Sequence, residues 1–216
     1  SLVFVDGRPV PALSRGALPA GVACVPLATL LASHDPAALA TRLSPATDAV
    51  DDRIRLLNDA LLADGALLTV DKGTHVAAPV ALVHVATGGG SYPRLAVELG
   101  ADSAATLVEV RVALGDAAAF AAPVTGIRLA SGASLDHCRV QLAGPGSILL
   151  EDTLVHVARD AAYAQSQYAF GAQLGRTDLR VRLEEPGARA RLHGLFMVDG
   201  TRQLDTRTLI EHLAPH

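Results

Sequence analysis

Hydrophobic and polar positions alternate in short runs along most of this chain. Val108, Val110, Val112 and Leu114 interleave with Glu109, Arg111 and Ala113, and Cys138, Val140 and Leu142 with His137, Arg139 and Gln141. Leu179, Val181 and Leu183 interleave with Arg180 and Arg182, and Ala190, Leu192 and Phe196 with Arg189, Arg191 and His193. A period of two is the signature of a β-strand, whose side chains switch faces at every residue. Between Tyr92 and Gly200 the strands are cut by small-residue turns near Gly100, Gly115–Asp116, Gly132, Gly144–Gly146, Arg159–Asp160, Gly171–Gly175, Gly187 and Gly200. The step is about 14 residues, and two steps make a pair of about 28. Several turns share a wording: Gly100-Ala-Asp, Gly132-Ala-Ser, Asp160-Ala-Ala, Gly187-Ala-Arg. Regular steps of strand and turn suit a coil whose rungs stack. The pattern therefore predicts a mainly β fold, a flattened parallel β-helix with apolar faces inside and Arg, His and Glu outside. The rival is an antiparallel sandwich, whose strands recur at roughly 8–12 residues.

Before this region the pattern changes. Leu2–Val5, Asp6-Gly7 and Arg8–Val10 read as a hairpin, with Pro9 at its edge. Residues 11–25 read as a connector. Leu27–Ala32 predicts a short helix, and Asp35-Pro36 the start of another over Ala37–Leu43. Asp51–Ala63 predicts a helix with Ile54, Leu57, Leu61 and Leu62 on one stripe, Arg53, Arg55 and Asp59 facing elsewhere, and Gly65 as its stop. Leu68–Val70 and Val76–Val85 give the first rungs, and Gly88-Gly-Gly90 a flexible turn. The division is a hairpin and helical lead-in over 1–64 and a β-helix core over 65–216. Arg202–His216 reads as a polar tail that closes no rung.

Composition narrows the function. Half of the chain is apolar but only 3% is aromatic, with no Trp, so Ala, Val and Leu fill the core. The net charge is −4 and Lys72 is the only lysine, which gives no basis for nucleic-acid binding. Cys24 and Cys138 lie far apart with no CxxC, as expected of a reducing cytosol. No signal peptide or membrane span stands out.

Longer runs carry a resemblance. Asn58-Asp-Ala-Leu-Leu-Ala-Asp-Gly65, Pro79-Val-Ala-Leu82, Tyr92-Pro-Arg-Leu95 and Gly171-Ala-Gln-Leu-Gly-Arg-Thr-Asp-Leu179 resemble the SufB/SufD family of iron–sulfur cluster assembly proteins. So do Leu192-His-Gly-Leu-Phe-Met-Val-Asp-Gly200 and Asp205-Thr-Arg-Thr208 with Ile210 and His212. The lead-in Leu2–Arg8 is similar to the SufD branch. The resemblance implies a right-handed parallel β-helix core, a SufB-like partner met through that core, and a SufC-like ATPase bound by C-terminal helices. It implies a non-enzymatic scaffold subunit in a cytoplasmic complex, where the iron–sulfur cluster is assembled, with no cofactor held by this chain. It also implies that the family's C-terminal part lies beyond His216. No cluster-building residue is carried over, and a homodimer is expected of the isolated chain.

Candidate chemistry is sparse. His212 and His216, four apart beside Glu211, are the metal candidates, although Pro215 opposes a regular helix there and an exposed tail is the simpler reading. His137 and His193 are two coil periods apart and read as surface histidines of one column, and Cys138 as a core residue. Ser131, Ser134, Asp136 and His137 hold triad residue types without a GxSxG elbow. Gly88–Gly90 lacks the GxxxxGK[ST] of a phosphate loop. Arg139, Arg180, Arg182, Arg189 and Arg191 form a predicted outer stripe, partly paired with Glu184 and Glu185, or a docking face for an acidic partner. Beside the scaffold reading stand a structural or adhesive β-helix that self-assembles edge to edge and a carbohydrate-active β-helix enzyme, which the scarcity of aromatics disfavours.

Overall fold

A computed structural model describes all residues except 34–38, 40, 41, 44–52, 63, 116, 117, 215 and 216. The proposed helix from Asp35 falls largely outside the described residues. Two long sheets face each other. Sheet A holds β1 (Leu2–Val5), β2 (Arg8–Pro9), β5 (Val80–Ala86), β8 (Ala104–Ala113), β11 (Ser134–Leu142), β13 (Ala162–Ala169) and β15 (Arg189–Phe196). Sheet B holds β3 (Val22–Pro26), β4 (Gly65–Val70), β7 (Arg94–Leu99), β10 (Val124–Leu129), β12 (Ile148–Val157), β14 (Leu174–Leu183) and β16 (Gln203–His212). A short third ladder joins β6 (Gly89–Ser91), β9 (Ala119–Ala121) and β12. Strands from β4 onward pair in parallel with the strand one turn away, giving a parallel β-solenoid of about five turns. Val124 stands over Arg94 and Asp152 over Val124, offsets of 30 and 28 residues, so the expected step of about 28 is the rung.

Each rung runs along sheet B, through a tight turn, and back along sheet A. At the turn one residue takes a left-handed backbone: Gly73, Asp102, Gly132, Asp160 and Gly187 in successive rungs, with φ between 56 and 77°. Their amides climb the stack, from Gly73 to Ala101 O at 2.8 Å, Asp102 to Ser131 O at 2.9 Å and Gly132 to Arg159 O at 2.8 Å. From Asp102 upward, aspartate and glycine alternate for a steric reason. A Cβ on Gly132 would stand 2.4 Å from Asp102 Oδ1, and one on Gly187 would stand 2.0 Å from Asp160 Oδ1. The equivalent of Gly132 is thus Asp102, not Gly100.

Next to this turn column the core is aliphatic. Leu68, Val97, Ile127, Val155 and Val181 form one inward column, and Val70, Leu99, Leu129, Val157 and Leu183 the next. β14 has the expected faces: Leu179, Val181 and Leu183 are buried and Arg180 and Arg182 half-buried. In β8 and β11 the expected faces are reversed. Glu109, Arg111, His137, Arg139 and Gln141 point inward, while Val108, Val110, Cys138, Val140 and Leu142 lie on the outer face. Alternation fixes only relative phase. The inward phase is set by Leu107 and Leu135 beside the turn, and two residues further on that phase reaches charge.

The lead-in also differs from expectation. β1 makes the hairpin with β2, but it also pairs in parallel with β5 and so begins sheet A. The connector contains β3, antiparallel to β4, and Gly89–Ser91 is a strand. α1 (Leu27–Ser33) forms as predicted. α2 (Arg53–Leu61) buries Arg55 and Asn58, not Leu61, which is half-exposed. Asn58 Nδ2 donates to Pro93 O at 3.0 Å and Ala122 O at 2.8 Å, and its Oδ1 accepts from Arg94 Nη2 at 2.6 Å. The helix therefore docks by satisfying rung carbonyls. Gly65 opens β4 rather than ending α2: a Cβ there would stand 1.8 Å from the Arg94 carbonyl oxygen. The residues read as a polar tail include β16, a full strand on β14.

These two kinds of glycine separate in a stability experiment. Gly187→Ala meets a movable carboxylate and a left-handed backbone, and should destabilise by about 1–2 kcal/mol. Gly65→Ala meets fixed backbone and should cost roughly 3 kcal/mol or more. Urea unfolding of the two variants checks the order; equal losses would refute the distinction.

Candidate functional site

The half of the lumen away from the turn column is polar. Glu109 and Arg111 enter from β8, His137 and Arg139 from β11, Tyr163, Gln165 and Gln167 from β13, Glu151 from β12 and Thr177 from β14. All are buried. Arg111 Nε and Arg139 Nη2 each donate to Glu151 Oε1 at 2.6 Å. Glu109 lies 3.7 Å from Arg111 and 3.5 Å from Arg139, so two carboxylates and two guanidinium groups balance. His137 Nε2 stands 2.9 Å from Glu109 Oε2 and His84 Nε2 stands 3.2 Å from its Oε1. A relay continues from His137 Nδ1 to the Tyr163 hydroxyl at 3.0 Å, then through Gln165, Gln167 and Thr177 to Glu151 Oε2. The contacts close a ring across the lumen.

Its electrostatics follow from burial and pairing. Burial alone pushes the Glu109 carboxyl up, but hydrogen bonds from His137 and His84, with Arg111, outweigh it and hold Glu109 well below the usual carboxylate range. Burial lowers His137, opposed by its bond to Glu109, and burial lowers His84 with help from Arg111. Burial opposes the charge of Arg139, yet Glu151 and Glu109 raise it overall. Burial also raises Tyr163. An ionised Glu109 only accepts, so His137 Nε2 carries a proton. The single Tyr163 proton serves either His137 Nδ1 or Gln165 Oε1, 2.7 Å away, and it goes to Gln165 when His137 holds two protons.

A cavity adjoins the ring. It holds about 150 Å³ beside β15 and β16 and is lined by Gln165, Gln167, Leu192, Phe196, Thr206 and Thr208. Gln165 and Gln167 thus belong to both the ring and this cavity.

Residues singled out from sequence scatter. His137 and Arg139 join the buried ring. His193 is exposed and shares the outer column of Cys138 and Ser166, so it does not stack with His137. Ser134 and Asp136 lie on the outer face, opposite His137. Of the Arg stripe, Arg182 approaches Glu211 at 3.6 Å, while Glu184 pairs with His156 and Glu185 with Arg159. His212 ends β16, and His216 lies outside the described residues. Among the described residues no three His, Cys, Asp or Glu converge as a metal set. Burial pushes the Cys24 thiol up to about 11, which keeps it protonated and a poor ligand. Sequence reading missed Glu109, Glu151, Tyr163, Gln165, Gln167 and Thr177 as a group. One signal was available: Glu109 and Arg139 are opposite charges one rung apart, and they are cross-strand neighbours.

Two outcomes are expected. Glu151→Ala leaves two buried guanidinium groups without their shared acceptor and should cost about 3–5 kcal/mol in urea unfolding. Stability should also fall on acidification. Below pH 6.5 unfolded histidines take up protons that buried His84 and His137 resist, and below 4.5 unfolded glutamate does so while Glu109 stays ionised. A urea midpoint that rises as the pH is lowered through this window would overturn the assignment. By ¹⁵N NMR, His137 should be the neutral Nε2–H tautomer at neutral pH.

Compared with known proteins, residues 82–216 match the family described as SUF system FeS cluster assembly, SufBD core domain. The chain is 27% identical over 218 residues to the iron-sulfur cluster assembly protein SufD of Escherichia coli (strain K12), covering 98% of this chain and 48% of that protein. It is 25% identical over 228 residues to the iron-sulfur cluster assembly SufBD family protein slr0076 of Synechocystis sp. (strain ATCC 27184 / PCC 6803 / Kazusa), covering 100% of this chain and 50% of that protein. The chain spans about half the length of these curated relatives.

Proposed function

Because the chain belongs to the SufBD core family of the SUF iron–sulfur cluster assembly system, we propose that it acts as a SufD-like scaffold subunit without catalytic chemistry of its own. Its partners are a SufB-like subunit and a SufC-like ATPase, in the cytoplasm. No helix among the described residues is long and apolar enough to cross a membrane. The iron–sulfur cluster is the product of the assembly rather than a resident cofactor of this chain.

The observation that carries this reading is the family match over residues 82–216, which takes in the parallel solenoid from β5 to β16. A SufB-like β-helix is the partner of matching form.

Native mass spectrometry after co-expression with the SufB-like and SufC-like proteins of the same genome tests the proposal. A discrete ternary complex is the expected result. If the protein ignores both partners, the scaffold role is wrong; concentration-dependent filaments would then favour self-assembly.

A further inference from the structure

The polar lumen approaches the surface near the chain's first turn. A cavity of about 40 Å³ lies beside the partly exposed Asp6-Gly7 turn, between Pro93 and Leu149, and reaches His84, Arg111 and Ser147. One water needs roughly 10–15 Å³ of such space, so more than one fits. Two of the residues lining this cavity carry a buried side-chain atom with no hydrogen-bond partner in the protein. One is Ser147 Oγ, on a residue only 3% exposed; the other is His84 Nδ1. Native proteins rarely leave buried polar atoms unpaired, which points to a ligand at this place.

The donor pattern selects that ligand. His84 Nε2 faces the Glu109 carboxylate at 3.2 Å, so Nε2 holds the proton and Nδ1 offers a lone pair. The ligand must therefore donate to His84, while the Ser147 hydroxyl can donate to it. Arg111 brings no spare positive charge, because Glu151 accepts from its Nε at 2.6 Å and Glu109 lies 3.7 Å away. The other charged group at the cavity, the Asp6 carboxylate, accepts from the Thr87 amide at 2.9 Å and is itself negative. A simple anion has no proton for Nδ1 and meets Asp6 and Glu109. A neutral molecule of water size that both donates and accepts fits.

We infer that the cavity is a structural water site bridging His84 Nδ1 and Ser147 Oγ, and that it gives the buried Glu109 cluster a hydrated contact with the outside of the solenoid. The inference does not depend on the family reading. Crystals of the full chain, soaked in sodium bromide, test it. The expected result is water density within hydrogen-bond reach of both atoms and no bromide there. A dry cavity, or bromide bound in it, overturns the proposal. Ser147→Val removes the hydroxyl and fills its space, and should expel at least one long-lived water counted by ¹⁷O magnetic relaxation dispersion; an unchanged count in a folded variant overturns it too. Should that variant not fold, the wild-type density decides.

Discussion

Four buried charges constrain this solenoid. Glu109, Arg111, Arg139 and Glu151 come from strands of two sheets and three successive rungs, and each is desolvated. A single buried charge is very costly, whereas a balanced and fully hydrogen-bonded set is tolerated. The set balances only when β8, β11 and β12 hold one register. A slip of one residue would turn every side chain to the other face and put the charges outside and the outer valines within. Aliphatic columns alone tolerate such slips poorly but do not forbid them, because Val and Leu occur on both faces of β8 and β11. We regard the ion cluster as the device that specifies register here, in the sense known for buried polar residues of coiled coils.

The turn column does the complementary task. It sets where each rung ends, through a left-handed residue whose amide bonds to the next rung. The alternation of Asp and Gly arises because each aspartate carboxylate occupies the place where the glycine above would carry a Cβ. Next to this column lie the purely aliphatic layers, and the polar ring lies beyond them. Step length and core burial are thus set at one side of the lumen, and phase at the other.

This division explains what could be read from the residues. The solenoid and its step were legible, because turns recur and strands alternate regardless of which face is inward. The faces of β14 were legible because Thr177, Leu179 and Val181 contrast with arginines on the other phase. The faces of β8 and β11 were not, because valines on the outside outrank charges on the inside in any hydrophobicity argument. The partners that make those charges tolerable, Glu151 above all, lie a strand or more away in sequence. The docking of α2 was hidden for a similar reason: Asn58 is buried for the carbonyls it satisfies, not for its polarity. Where a solenoid carries polar layers, the one-rung offset between opposite charges, 30 residues for Glu109 and Arg139, is a better guide than alternation.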